Sequence, residues 1–291
     1  MRRCAFLTNN NLDGYLSEGD EVAHAPLRAL GWNVEEVPWR RPGVDWGRFD
    51  AVIIRTTWDY HEDTEAFVSV LERIKRSGTP LENALDLTLW NMNKTYLRDL
   101  ERRGIPIVPT IWGSDIGPVD RESILRRLGT NEVVLKPLIG ASAYHTYRLH
   151  RGSATWSEAA AVFEHRGYLA QPFIGSVVEE GEYSLFFFGG EYSHAVLKTP
   201  QSQDFRVQEE HGGMIRAAAA SGELVRAGAR VMAALGQVPL YARVDLVRLA
   251  GAGYGLMELE LIEPALYLRM DEGAPKRFAC ALDRRLRPKT A

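Results

Sequence analysis

Residues 240–262 constrain this chain more than any other stretch. Leu240–Leu249 and Tyr254–Ile262 flank Ala250-Gly251-Ala252-Gly253, the pattern of a β-hairpin. A turn centred on Gly251-Ala252 sets Asp245 opposite Glu258 and Arg243 opposite Glu260. Strand alternation then gathers Arg243, Asp245, Glu258 and Glu260 on one face. Val244, Leu246, Met257, Leu259 and Leu261 fill the other. Three carboxylates beside one arginine, on a sheet with an apolar reverse side, repel one another and resist desolvation. A hard divalent cation with oxygen ligands offsets both effects. Mg²⁺ holds few protein carboxylates and completes its shell with water and phosphates, so this face implies a nucleotide. The polar outer face of an ordinary hairpin carries the same residue types, and on these residues alone both readings stand.

The rest of the chain narrows the class. With 291 residues, 45% hydrophobic and 25% charged, it has room for two or three packed lobes and an ordinary globular composition. Disordered, collagen-like and coiled-coil chains are excluded. A net charge of −3 supplies no global basic field for nucleic acid. Cys4 and Cys280 lie near opposite ends and make neither a disulfide framework nor a thiolate metal site unaided. The apolar run Cys4–Leu7 is too short for a signal peptide, and no stretch approaches the ~20 apolar residues of a membrane span. A cytoplasmic protein without membrane partners is expected.

The first third alternates strands (Cys4–Thr8, Asn33–Val37, Ala51–Arg55) with helices (Val22–Leu30, Asp63–Ser77), which implies a parallel sheet with ligands at the strands' carboxyl ends. From about Leu85 hairpins take over, and the class becomes α+β after an α/β start. A helix is expected over Met92–Arg103 and another over Gly222–Leu235. Strands are expected over Glu132–Pro137, Tyr144–Leu149, Tyr168–Ile174, Glu182–Phe188 and Glu191–Lys198. Lys136 ends an apolar strand before the small-residue loop Gly140-Ala141-Ser142-Ala143, whose backbone amides can approach an anion; a plain turn reads the same way. No Gly-Lys-Ser/Thr phosphate loop occurs, and Lys94 by default is a solvated surface lysine. His61, His145 and His194 lack ligand spacing and read as structural.

Taken in order, Asn93-Lys94, Val134-Leu135-Lys136-Pro137, Ala170–Ile174, Gly181–Ser184, Lys198, Phe205-Arg206 with Gly212-Gly213, Arg243-Val244-Asp245 and Glu258-Leu259-Glu260 resemble the ATP-grasp superfamily, from about Leu85 to the C-terminus. Thr56–Tyr60, Ser193–Lys198 and Glu258–Pro264 are further similar to the small ATP-grasp enzymes around O-ureido-D-serine cyclo-ligase, which close the cycloserine ring. The resemblance implies a substrate lobe (1–84), a small central lobe (85–168) and a C-terminal lobe (169–291), with ATP held between two antiparallel sheets. It assigns phosphates to Lys94, Lys136, Ser142 and Lys198, adenine to Gln171, Pro172, Phe173 and Ile174, and the ribose hydroxyls to Glu182. A closing loop would carry Arg206, Gly212 and Gly213. Mg²⁺, as one or two ions with Mn²⁺ as substitute, falls to Asp245, Glu258 and Glu260; the last stands where the family usually has Asn. Arg243, Lys198 and Arg206 become the catalytic cations.

The activity so implied is an ATP-dependent carboxylate–amine ligase working through an acyl phosphate on a small amino-acid-like molecule. Alternatives are an intramolecular cyclo-ligase and a nucleotide-binding protein without turnover. Arg55, Trp58, Asp59 and Tyr60, following a strand end, together with Glu263, are expected to meet the substrate, although Arg55 in a structural ion pair and Trp58 as a packing residue fit equally. Homo-oligomerisation stays open. A dinucleotide-binding oxidoreductase is disfavoured, because Gly251-x-Gly253-x-Gly255 falls in a hairpin rather than between strand and helix.

Overall fold

A computed structural model of the chain describes residues 1–9, 20–116, 118–141, 143–201, 204–209, 212–251 and 253–287. Strands β1 (Arg2–Thr8), β2 (Trp32–Pro38), β3 (Ala51–Thr56) and β4 (Leu81–Glu82) form a parallel sheet in the order β2-β1-β3-β4. The crossovers are α1 (His24–Ala29) and α2 (Thr64–Arg76). Helix α2 starts where the Asp63 carboxylate accepts from Ala66 N at 3.1 Å, and it turns Phe67, Val70, Leu71 and Ile74 onto the sheet. Burying each of these contributes about 1.5–3 kcal/mol.

Two helices, α3 (Leu85–Met92) and α4 (Tyr96–Arg102), lead out of this lobe. The single helix expected over Met92–Arg103 is thereby corrected. Asn93 leaves the helical region (φ −104°, ψ 122°), and its side chain accepts from Thr95 N at 3.0 Å to start the next helix. That break sets Lys94 between two helices rather than on a solvated helix face.

Strands β5 (Ile111–Ser114), β6 (Glu132–Pro137), β7 (Tyr147–His150) and β8 (Gly167–Pro172) make an antiparallel sheet in the order β5-β8-β6-β7. Helices α5 (Pro118–Leu128) and α6 (Trp156–Val162) belong to this unit, which has its own core of Ile124, Leu125, Val133, Leu135, Trp156 and Phe163. The strand expected from Tyr144 begins only at Tyr147, because 144–146 turn back on the preceding loop. After the short α7 (Ser176–Glu179) come β9 (Glu182–Phe188), β10 (Glu191–Thr199), β11 (Met214–Ala218), β12 (Tyr241–Leu249) and β13 (Gly253–Glu260), with α8 (Gly222–Ala233) before β12. These five strands form an antiparallel sheet in the order β11-β10-β9-β12-β13. Strands β4, β5 and β11, helices α3, α5 and α7, and a last helix, α9 (Ala274–Leu286), were not expected from the sequence.

Opposite faces of the five-stranded sheet do different work. Leu185, Phe187, Val244, Leu246, Leu259 and Leu261 pack against α8. There Gly228 is required, since a Cβ would come within 2.9 Å of the Phe187 ring. On the other face Phe186 and Phe188 pack against α9 and the first lobe, while polar side chains occupy the rest. Among the described residues no helix is long and apolar enough to cross a membrane.

His194 is structural, as its spacing indicates. It stacks on Phe186 at 4.4 Å, Nε2 donates to Leu266 O at 3.0 Å, and burial pushes its pKa from 6.5 down to about 4. The unfolded chain therefore binds this proton more tightly, and the stabilisation is lost as pH falls from about 6.5 towards 4. We expect the imidazole to account for about 3 kcal/mol of acid destabilisation. In thermal melts between about pH 7 and 4, His194→Gln should show a shallower decline than wild type; parallel curves would refute this.

Candidate active site

The polar face of β9, β10, β12 and β13 opposes the sheet carrying β6 and β8, and a cavity lies between them. The hairpin register is the expected one at its functional end: Arg243 pairs with Glu260 and Asp245 with Glu258. Beyond Asp245 the register shifts by one, so that Leu246 pairs with Leu256. This bulge corrects one expectation: Met257 lines the cavity, with Lys136 Nζ 3.5 Å from its sulfur, instead of filling the apolar side.

The carboxylates do not form a ready cage. Among the described residues no three acidic, histidine or cysteine side chains are grouped to hold a metal ion. Each is drawn onto a basic partner instead. Glu258 pairs with Lys94, and Glu260 with Arg243. Arg243 Nε also lies 3.1 Å from both Asp245 oxygens. Asp245 further accepts from Ser184 Oγ at 2.5 Å and lies 3.5 Å from Lys198 Nζ. It sits beneath the cavity wall, whereas Glu258 and Glu260 line the cavity. Lys198, 3% exposed, bridges to Glu182 at 3.2 Å.

These pairings set the ionisation. Burial raises Asp245, but Arg243 and Lys198 overcome it and hold the carboxyl near 2. For Glu260, burial together with Asp245 and Glu258 outweighs Arg243 and lifts it to about 7. Burial opposes the charge on Glu258, yet Lys94 and Lys136 keep it below the usual carboxylate range. Lys136 itself is lowered by burial and by neighbouring Lys94, against the pull of Glu258. Burial, with help from Glu260, holds Glu263 well above an ordinary glutamate.

Lys94, Lys136, Gln171, Pro172, Phe173, Ile174, Glu182, Lys198, Arg206, Arg243, Glu258, Glu260, Glu263, Trp58 and Tyr60 all face this cavity. Gln171, 2% exposed, donates to Thr110 Oγ1 at 3.1 Å while its Oε1 is buried with no hydrogen-bond partner. Trp58 lines the cavity, and its indole donates to Glu263 O at 2.9 Å.

Other expectations are corrected. Arg55 lies off the cavity, paired with Asp20 (2.9 Å) and with Pro264 O (2.9 Å), beneath the Tyr241 ring. Asp59 is taken by Trp39 Nε1 at 2.7 Å and by Arg40 at 3.2 Å. Gly212 and Gly213 do not line the cavity; they fold their loop through bonds to Glu209 O and Gln208 O. A Cβ on Gly213 would meet Val207 O at 2.1 Å, so the glycine lets the loop close on itself and carry Phe205–Glu209 to the cavity. Ser142 lies outside the described residues.

Tyr144 and Tyr267 also line the cavity and were not foreseen. Tyr144 reaches the first lobe, its ring 5.6 Å from that of His61. Tyr267 takes a left-handed backbone conformation (φ 46°), a strain that no residue-type pattern announces.

Residues 4–83 match the family model described as the N-terminal domain of D-cycloserine synthetase DcsG. The cycloserine biosynthesis protein DcsG of Streptomyces lavendulae is 34% identical over 279 residues, covering 90% of this chain and 91% of that protein. The chain belongs to the DcsG family. The crystal structure of D-cycloserine synthetase DcsG superposes with a TM-score of 0.87 at 29% identity, covering 98% of this chain and all of that one. The D-alanine–D-alanine ligase of Bacillus anthracis complexed with ATP shares the fold (TM-score 0.68, 17% identity, 97% and 95% covered). The chain is thus an ATP-dependent C–N ligase with the ATP-grasp fold.

Because Arg55 is held by its pair rather than by a ligand, Arg55→Met should lower stability by about 3–5 kcal/mol in denaturant titrations. Nucleotide affinity of the folded variant should stay unchanged by calorimetry; a loss of affinity without a loss of stability would return Arg55 to the ligand.

Proposed function

We propose that the chain activates the carboxylate of an amino-acid-like molecule as an acyl phosphate and transfers it to nitrogen, releasing ADP and phosphate. The observation that carries this reading is the set of half-buried Lys94, Lys136, Glu258 and Glu260 with buried Arg243, lining one cavity between two antiparallel sheets. The orphaned Gln171 Oε1 is an acceptor suited to the exocyclic amine of adenine, with Pro172, Phe173 and Ile174 as the apolar wall.

The all-oxygen set of Asp245, Glu258 and Glu260 suits a hard divalent cation such as Mg²⁺ or, in its place, Mn²⁺. When bound, the ion withdraws charge from phosphate oxygens as a Lewis acid. Lys94 and Lys136 bind phosphates, and Lys94 thereby surrenders Glu258. Glu182 turns to the ribose hydroxyls and frees Lys198 for the terminal phosphate. Arg243, anchored by Asp245, stabilises charge developing on the acyl oxygen. The segment bearing Phe205, Arg206 and Val207 excludes water that would hydrolyse an acyl phosphate. The reaction in this reading needs no covalent nucleophile from the protein.

Trp58, Tyr60 and Glu263 stand at the first-lobe end of the cavity and select the substrate in this reading. The match of residues 4–83 to the cycloserine synthetase N-terminal domain favours a second, narrower reading, in which carboxylate and nitrogen belong to one molecule and a ring closes.

Incubation with ATP, Mg²⁺ and an amino-acid panel that includes O-ureido-D-serine, followed by mass spectrometry and phosphate assay, tests both. Phosphate release with a cyclised product supports the narrower reading. A product that needs an added amine leaves only the broader one, and no substrate-dependent phosphate release refutes both. Glu258→Gln should reduce turnover by at least about 100-fold with an unchanged melting temperature. Lys136→Ala should weaken ATP by about ten-fold in calorimetry, and equal affinity would show that this lysine does not meet phosphate.

A further inference from the structure

Strand β13 is an edge strand, and it carries Glu258 and Glu260. Edge strands expose unpaired backbone groups, and slipping one residue turns every side chain to the opposite face. Here the bulge beside Glu258 shifts the register by one between the acidic pair and the turn. At Leu256 the free edge is closed by backbone: Leu256 N donates to Pro106 O at 2.8 Å and Val108 N to Leu256 O at 3.0 Å.

Further along, no strand lies there, and side chains replace it. Leu259 N donates to Tyr96 Oη at 2.9 Å, and Leu259 O accepts from Asn91 Nδ2 at 2.8 Å. Leu261 N donates to Asn91 Oδ1 at 2.9 Å, and Leu261 O accepts from Asn83 Nδ2 at 2.8 Å. Asn83 also takes both ends of the neighbouring strand's start, giving to Tyr241 O at 2.9 Å and receiving from Leu240 N at 2.6 Å. All three side chains are buried. They come from the α3–α4 segment and the residues before it, the same segment that presents Lys94 to Glu258.

We propose that Asn91 and Tyr96 are positioning residues: they act as a side-chain strand along β13, locking the register that turns Glu258 and Glu260 into the cavity. Asn91 grips the residues on both sides of Glu260, and Tyr96 grips the amide directly after Glu258. The proposal rests on the reading of these carboxylates as metal ligands. Outer groups that orient metal ligands are worth about 10–100-fold in metal affinity or activity.

The test compares wild type with Asn91→Ala, Tyr96→Phe and, as control, Trp32→Phe. The control deletes an equally buried hydrogen bond, Trp32 Nε1 to Asp283, between the first lobe and α9. Mn²⁺ uptake in the presence of AMP-PNP is followed by electron paramagnetic resonance, and amide hydrogen exchange is read at Leu259 and Leu261. The expected result is Mn²⁺ binding at least about ten-fold weaker in Asn91→Ala and weaker in Tyr96→Phe, with faster exchange at Leu261 and Leu259 respectively. Trp32→Phe should lose thermal stability alone. Wild-type Mn²⁺ affinity in folded Asn91→Ala and Tyr96→Phe would overturn the proposal. Should Asn91→Ala fail to fold, Tyr96→Phe decides, since it removes a single hydroxyl. Absence of Mn²⁺ uptake by wild type would instead overturn the metal reading itself, and the proposal with it.

Discussion

Arg243 is the charge on which the polar floor depends. It is buried, it holds Asp245 through two nitrogens and it reaches Glu260 across the hairpin. A guanidinium offers a fixed fork of donors, so one side chain can bind carboxylates from two strands at once. Desolvating such a group is costly, and only paired geometry offsets the cost. The network continues from Asp245 through Lys198 to Glu182, so four strands of the sheet are joined on their polar face by alternating charges. The lysines that the proposed reaction turns towards phosphate are among the groups that keep Asp245 and Glu258 ionised. In the proposed reaction these groups exchange partners, and no new charge has to be created.

The two layers around the cavity divide the labour. The five-stranded sheet is anchored on both faces, by α8 on one and by α9 with the first lobe on the other. The sheet of β5–β8 has a separate core and meets the rest across the cavity. Aromatic groups close the end next to the first lobe: Trp58 is tied to Glu263 O, and Tyr144 lies against His61. The cavity is therefore lined from three structural units, the two antiparallel sheets and the first lobe.

Much of this was legible in the residues because the hairpin obeys a period of two, and period alone decides which side chains share a face. Glu132–Pro137 and Glu182–Phe188 begin and end where their alternation and flanking glycines or prolines place them. What stayed hidden depends on partners far away in sequence. Arg55 and Asp59 sit at a strand end where ligands are usual, but Asp20, Pro264, Trp39 and Arg40 claim them. The break at Asn93–Thr95 carries neither Gly nor Pro, and its one local signal is the Asn93 side chain that accepts from Thr95 N. Helix α9 does carry a signal, with Pro275 in its first turn and Phe278, Ala281 and Leu282 at helical spacing.

The bulge in the hairpin separates two registers, one for the acidic pair and one for the turn around Gly251. Length changes at the tip can thus be absorbed at Met257 before they reach Glu258. Loop grafts or a small reporter peptide inserted next to Gly251 would leave the ligase chemistry in place, which makes this tip the natural handle for labelling the enzyme.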